Sequence, residues 1–256
     1  MSWDDLSGAG VTVSTSPHDS ARFGRVVIRV VVGSQVHEVD AVSGPVLEAL
    51  SRPDVDLAVV RWPAALTGLG AHLAAAGHRV VPADTLVYWA GGPTAEGPAP
   101  LDLASLSDVP AEPAALEELV RATFEGYVSH YAASPDLDPA AVTEGYVEWA
   151  LRTAAAEPHS TWVAREGGDL AAFATTRALA DPRDVEVELA GTSPRHRGRG
   201  VYGALFTSLL ARLLEQGHDR LLISTQAGNV AVQRLWARAG MLPVAAFTTV
   251  HVRPSG

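Results

Sequence analysis

The sequence predicts an α/β protein in two parts, a small α/β unit over residues 1–92 and a larger one over residues 101–256, joined by a linker at 93–100. Short runs rich in Val, Ile and Leu alternate along the chain with segments whose apolar residues recur every three or four positions, the pattern of strands and helices in turn. The stretch Gly91-Gly92-Pro93-Thr94-Ala95-Glu96-Gly97-Pro98-Ala99-Pro100 interrupts both patterns, because Gly and Pro at that density break helix and strand alike. Hydrophobic residues make up 47% of the 256 and charged ones 19%, enough apolar surface for a sizeable core and too little charge for a disordered chain.

In the first unit, Arg25 to Val32 and Val36 to Val42 read as a hairpin, with Gly33-Ser34 as its turn. A short helix over Pro45 to Leu50, a strand Leu57 to Val60, a helix Ala65 to Ala76 stopped by Gly77, and a strand His78 to Tyr88 follow. In the second, Glu112 to Gly126 and Pro139 to Ala156 have helical spacing. Strands are expected at Thr161 to Arg165, Leu170 to Arg177 and Asp184 to Thr192, the first two joined across Glu166-Gly167-Gly168-Asp169. A helix over Gly200 to Gln216 carries Val201, Leu205, Leu209 and Leu213 on one face and ends at Gly217. Strand Arg220 to Thr225, helix Asn229 to Arg238 and strand Val244 to Val252 complete the chain.

Charge and composition narrow the function. Nineteen Lys and Arg against 29 Asp and Glu give a formal charge of −10, so nucleic acid is disfavoured as a partner and an anionic ligand needs a local site. Cysteine is absent, which excludes disulfides, thiolate metal sites and a cysteine nucleophile. His159, His196, His218 and His251 are scattered, and no HExxH, GxSxG or GxxxxGK[ST] pattern occurs. The start of the chain lacks a basic stretch followed by an apolar one, and no apolar run approaches a membrane span, so a soluble, cytoplasmic protein is expected.

The chemistry concentrates in Glu186-Val187-Glu188-Leu189-Ala190-Gly191-Thr192-Ser193-Pro194-Arg195-His196-Arg197-Gly198-Arg199-Gly200-Val201-Tyr202-Gly203. A strand ends at a proline, a Gly/Arg loop follows, and a helix begins at once. Such a loop presents backbone N–H groups and a positive helix end to an anion, and a diphosphate fits it, although a solvated surface turn has the same composition. A second segment, Asn229-Val230-Ala231-Val232-Gln233-Arg234-Leu235-Trp236-Ala237-Arg238-Ala239-Gly240, begins 29 residues after Gly200.

Together the two segments resemble the GNAT superfamily of acyl-CoA-dependent N-acyltransferases. Pro194, Arg197, Gly198 and Gly200 match the first motif, and Asn229, Leu235 and Gly240 the second, with the match spanning about residues 101–256. The resemblance implies the GNAT acyltransferase fold, a central mixed, mostly antiparallel sheet with flanking helices. It also implies binding of acetyl-CoA or another acyl-CoA and direct transfer to a primary amine of a small molecule. Cofactor contacts would come from Ala190, Gly191, Thr192, Arg197, Gly198, Arg199, Gly200, Val201, Tyr202, Gly203, Asn229 and Trp236. Asp84-Thr85-Leu86-Val87-Tyr88-Trp89, Ser129-His130-Tyr131, Tyr146-Val147-Glu148-Trp149 and Ser224-Thr225-Gln226-Ala227-Gly228-Asn229 are similar to the branch containing dTDP-fucosamine acetyltransferase, which implies a smaller preceding domain and an amino sugar acceptor.

Two departures bear on mechanism. Tyr202 replaces a small residue of the first motif, and Trp236 stands where the family has the tyrosine that protonates the departing thiolate. An indole does not ionise near neutrality, which leaves water, Tyr127, Tyr131 or Tyr202 for that task. A base is useful because an alkyl amine near pH 7 is mostly protonated. Glu186 and Glu188 lie two apart on one strand face, where mutual repulsion would raise one pKa and where a solvated pair is the bland alternative. Glu186 also stands six residues before Thr192, the place at which histone-acetylating relatives carry their carboxylate. Gly191 inside a strand signals a bulge or a close backbone approach, and Asn229 is a good N-cap residue. Tyr127, His130, Tyr131, Tyr146 and Trp149 fall on the two helices where the superfamily builds its acceptor wall, with His130 as a second candidate base. Two alternatives stay open: transfer from another carrier, such as an aminoacyl-tRNA or carrier protein, and CoA binding without turnover. Pairing of two chains is equally open.

Overall fold

Residues 2–92, 101–108 and 113–254 are described by the computed structural model. Ten strands are present among them: β1 Val11–Thr15, β2 Val27–Val32, β3 Leu57–Pro63, β4 Arg79–Gly91, β5 Leu103–Ser105, β6 Thr161–Glu166, β7 Asp169–Ala178, β8 Asp184–Thr192, β9 Arg220–Gln226 and β10 Leu242–Arg253. All ten join one sheet in the order β1-β2-β3-β10-β4-β9-β8-β7-β6-β5. The C-terminal strand β10 lies between β3 and β4, and pairs antiparallel with both. The expected linker at 93–100 lies outside the described residues, and the strands on its two sides belong to this single sheet.

Among the described residues eight α-helices cover the sheet: α1 Trp3–Leu6, α2 Pro17–Phe23, α3 Asp40–Leu50, α4 Leu69–Ala75, α5 Pro113–Phe124, α6 Pro139–Ala156, α7 Val201–Glu215 and α8 Val230–Arg238. On one face, α3 and α4 pack Val42, Val46, Leu69 and Leu73 against Ile28, Val30, Val60 and Val250. On that same face α7 packs Leu205, Leu209 and Leu213 against Val185, Val187 and Ile223, with Trp236 of α8 beside them. The other face carries α1, α2, α5 and α6. There Leu116, Val120 and Phe124 meet Phe173 and Leu189, and Leu6 of α1 meets Tyr88 and Phe247. Burial at about 25 cal/mol per Å² makes these two apolar layers the main source of stability. The N-terminal unit is also tied across the second face, where Arg22 of α2 bridges Asp19 and Glu148 of α6 at 2.8 Å each.

The expected hairpin is not formed. β2 pairs antiparallel with β1 and parallel with β3, while residues 36–39 are loop and Asp40 opens α3. Val36, Val42 and Val46 reach the core from loop and helix, so a short apolar run suits either structure. Helix α3 starts five residues before Pro45. Ala41, Gly44, Pro45 and Glu48 lie on its exposed side, where the carbonyl that loses its N–H partner to proline is solvated. The remaining expected elements are present, with ends shifted by a few residues at α4, β4 and β10. At the turn between β6 and β7, Gly167 and Gly168 both have positive φ (63° and 94°), as a tight hairpin requires.

Candidate active site

Strands β8 and β9 run parallel and pair only from Asp184↔Arg220 to Val187↔Ile223. Past that point β8 continues to Thr192 and β9 to Gln226 without pairing among the described residues. A bulge lies at the same place on the other side of β8: Thr175 faces Leu189 and Thr176 faces Val187, so Glu188 has no opposite residue. The extra residue bends β8 away from β9 and leaves its backbone from Glu188 onward open along one edge.

Gly191 sits in this bent segment for a packing reason. A Cβ there would lie 2.2 Å from Cγ2 of Thr123, at the end of α5. The close approach expected at this glycine is therefore made by a side chain. The same end of α5 holds the loop, since Nη2 of Arg197 donates to the Thr123 carbonyl at 2.9 Å. Gly198 (φ 75°) and Gly200 (φ 81°) take the left-handed conformation that only glycine adopts at little cost. Helix α7 then starts at Val201 with no side chain capping it, so its first-turn N–H groups, those of Val201, Tyr202 and Gly203 among them, have no intrahelical carbonyl to bond. Arg199 leans back to Glu166 at 2.9 Å, and Thr192 is buried beside the loop. Uncapped donors at a helix start behind two positive-φ glycines are suited to paired phosphates.

A cavity of about 490 Å³ passes through the opening between β8 and β9. On the α7/α8 side it is lined by Ala190, Tyr202, Asn229, Val232 and Trp236. Asn229 occupies the N-cap position of α8, but its side chain does not cap the helix. Its Nδ2 donates to Thr225 Oγ1 at 3.0 Å, at the end of β9. Trp236 is 1% exposed and packs edge-on against Trp89. It serves as core and as cavity wall together. Burial raises the pKa of the adjacent Tyr202 hydroxyl, which stays protonated.

On the α5/α6 side the cavity reaches Glu186, Glu188, Tyr127, His130, Tyr131, Tyr146 and Trp149. Every expected catalytic and acceptor residue therefore lines one space. Of the five acceptor residues expected on two helices, however, only Tyr146 and Trp149 lie on one, α6; Tyr127 follows the end of α5, and His130 and Tyr131 sit on a separate 3₁₀ turn, His130–Ala133. Glu186 is 3% exposed. Its Oε1 accepts from the Tyr88 hydroxyl at 3.0 Å and its Oε2 from the Trp3 backbone N–H at 2.8 Å. Burial raises its pKa to about 7 against these two donors. Repulsion from Glu188, the cause expected from sequence, also raises it and is the smallest contribution; the Glu188 carboxylate itself pairs with Arg177 Nε at 2.8 Å. Phe124 stacks on Tyr146 with ring centres 4.2 Å apart, and Tyr127 meets both rings edge-on while its hydroxyl donates to Gln226 Oε1.

His130 is the cavity end of a buried chain. Its Nδ1 meets His251 Nε2 at 3.0 Å, and His251 Nδ1 meets Ser134 Oγ at 2.6 Å. Burial, together with the nearby Arg61 and Arg29, holds the His130 pKa well below its ordinary value, so the ring is neutral at pH 7. Tyr131 packs on Phe23 and on His130.

Residues without a sequence-derived role complete the site. Tyr88 and Trp3 fix the glutamate, and Arg61, Thr249 and Asp84 form a polar row across β3, β10 and β4. The alternation Asp84, Leu86, Tyr88 marks one face of β4, but nothing in the local sequence says that this strand neighbours β9. Among the described residues no helix is long and apolar enough to cross a membrane, and no group of three His, Asp or Glu is placed to hold a metal.

Comparison with known proteins agrees with this geometry. Residues 115–241 match the model of the acetyltransferase (GNAT) family. A GCN5-related N-acetyltransferase from Sphaerobacter thermophilus has a similar fold, with TM-score 0.64 and 16% identity over 96% of this chain and 78% of that one. A GCN5-related N-acetyltransferase from Kribbella flavida gives 0.52 and 19% over 90% and 82%. A tandem GNAT protein from the clavulanic acid biosynthesis pathway gives 0.55 and 14% over 98% and 86%. No curated protein matches the chain. The fold agrees with the family match: residues 115–241 match the acetyltransferase (GNAT) family over about half of the chain, and that match makes the protein an acyl-transferring enzyme.

Proposed function

We propose that the protein transfers an acetyl group from acetyl-CoA to a primary amine of a small molecule, an amino sugar or similar metabolite, by direct attack. The observation that carries this reading is the continuous cavity from the α7/α8 side, through the opening between β8 and β9, to Glu186. In it a donor and an acceptor would meet end to end. We propose further that residues 1–92 act as a recognition unit for the catalytic region 101–256, since Asp19, Arg29, Arg61, Asp84 and Tyr88 all line the acceptor end.

Acetyl-CoA supplies an activated thioester, which makes a covalent enzyme intermediate unnecessary. The glycine turn and the first-turn N–H groups of α7 would hold its phosphates, and the open edge of β8 would pair with its amide-bearing arm as an added strand does. Glu186, with a pKa of about 7, is poised to accept a proton from the acceptor ammonium, directly or through water, while Tyr88 and Trp3 keep its carboxyl oriented. An unpaired N–H on β8 near Ala190 would stabilise the charge that develops on the carbonyl oxygen. Tyr202, partly buried beside Trp236 and protonated, takes the acid role that the indole lacks.

The test is calorimetry with CoA and acetyl-CoA, followed by a thiol-release assay over a panel of primary amines. The chain has no cysteine, so a thiol-reactive dye reads only free CoA. Saturable heat and amine-dependent thiol release are expected. Absence of heat with either ligand would overturn the reading, and heat without turnover on any amine would leave a CoA-binding module.

A further inference from the structure

Asp84 is an anomaly in the acceptor half of the cavity. Both of its carboxylate oxygens are shielded from solvent and neither has a hydrogen-bond partner, although the residue lines the cavity. A buried carboxylate without donors is costly, several-fold more so than an unsatisfied neutral group. Such an orphan in a cavity wall marks a place where a ligand supplies the missing bonds.

Charge and hydrogen bonding can be separated here. Arg61, Thr249 and Asp84 stand side by side on β3, β10 and β4, facing the same way. The Arg61 guanidinium, whose Nε donates to Thr249 Oγ1 at 2.9 Å, is 7% exposed and interacts electrostatically with Asp84. The negative charge is thus balanced inside the protein, while up to four lone-pair directions on the two oxygens stay unused. The positive groups Arg22, Arg29, Arg152 and Arg177 also line this cavity against Asp19, Glu186 and Glu188, which leaves no excess negative field to attract a second cation. What the site lacks is neutral donors, two of them and close together.

Position says where on the acceptor those donors lie. Asp84 and Tyr88 share a face of β4 four residues apart, which is about 13 Å between their Cα atoms. Tyr88 holds Glu186. An amine delivered to Glu186 therefore has the far end of its molecule near Asp84. The aromatic wall of Phe124, Tyr127, Tyr146 and Trp149 runs beside that path and suits the apolar face of a ring.

We infer that Asp84 is a specificity-determining residue that receives two neighbouring hydroxyl groups at the end of the acceptor remote from its amine, which makes the acceptor a polyhydroxylated, ring-bearing amine. This inference rests on the amine-acylation reading above and adds to it which end of the acceptor is read, and by what.

The experiment uses the full chain with acetyl-CoA and four acceptor probes: glucosamine, the glucosamine disaccharide, cyclohexylamine and 1,8-diaminooctane. Wild type should prefer the sugars over cyclohexylamine by at least tenfold in kcat/KM. Asp84→Asn should erase that preference through the acceptor KM, leaving the KM for acetyl-CoA within about threefold. Asp84→Glu, which keeps the charge beside Arg61 but moves the oxygens by one methylene, should do the same and guards against loss of folding in the first variant. Equal use of sugars and cyclohexylamine by wild type, or a sugar preference that survives both substitutions, would overturn the inference and leave the acylation reading intact. So would a preference for the diamine that vanishes in Asp84→Asn, since the carboxylate would then be reading a cation. Turnover of none of the probes, with acetyl-CoA bound, would remove the acylation reading and the inference with it.

Discussion

Replacing Glu186 with Gln tests the proposed base through two independent readouts, stability and rate. The folded-state pKa of about 7 lies above the ordinary 4.5. At any pH between these values the folded protein binds more protons than the unfolded chain, so stability falls as pH rises through the interval. The full gap corresponds to roughly 3 kcal/mol, at about 1.4 kcal/mol for each pH unit. Below pH 4.5 the cost is absent, and above pH 7 it is complete. Glutamine can keep both contacts of the carboxyl: its oxygen accepts the Trp3 N–H, and its amide donates to the Tyr88 oxygen, whose hydroxyl hydrogen is free to turn. The variant therefore removes the ionisation cost without leaving a buried group unpaired. Glu186→Gln should melt at nearly the wild-type temperature at pH 5 and roughly 6–12 °C above it at pH 8, taking 2–4 °C per kcal/mol for a chain of this size. Its rate should fall by about 10²–10⁴-fold at pH 7, and the inflection near pH 7 in the wild-type kcat/KM profile should disappear. If the glutamine variant keeps that inflection, or if its melting temperature tracks wild type at every pH, Glu186 is not a buried base and the proton leaves by another route.

Other substitutions probe the parts that hold the donor. Gly191→Ala should cost about 1–3 kcal/mol by overpacking, and Thr123→Ser, which deletes the methyl in the way while keeping a hydroxyl for the Leu119 carbonyl, should restore most of it in a denaturant-melt double-mutant cycle. Gly200→Ala places a side chain at φ 81° and should weaken CoA binding by calorimetry, with a strain of about 1–2 kcal/mol. Trp236→Phe should leave kcat within a few-fold, because the indole donates no catalytic proton, whereas Tyr202→Phe should lower it by about 10²-fold or more; the reverse order would assign the acid elsewhere.

The catalytic half of the fold was legible because its signals are local. Gly217 ends α7, Gly167-Gly168 turns β6 into β7, and Asp138 caps α6 by accepting from the Ala140 N–H at 2.9 Å. The donor site was legible for the same reason, its loop and helix being one continuous stretch from Ser193 to Gly203. The acceptor site was legible only on its helical wall. Its floor is a long-range product: β10, last in the chain, lies between two strands from the first 91 residues and brings Thr249 and His251 beside Arg61 and Asp84. No periodicity in a single segment encodes that adjacency, so the sequence assigns neither Asp84 nor Trp3 a part in the site. The raised pKa of Glu186 was legible from the pair's spacing, but its main cause was not. Sequence spacing places Glu186 and Glu188 on one strand and predicts repulsion, but the partner that neutralises Glu188 comes from β7 and the burial that shifts Glu186 comes from α1 and β4. The two ends of the cavity thus draw on different stretches of the chain. One compact motif fixes how the thioester would be held, while scattered residues of the first 91 and the last strand shape what it would be given to. A change in acceptor is therefore expected to involve the sheet floor on β3, β4 and β10 together with the aromatic wall of Tyr127, Tyr146 and Trp149, and to leave the donor loop untouched.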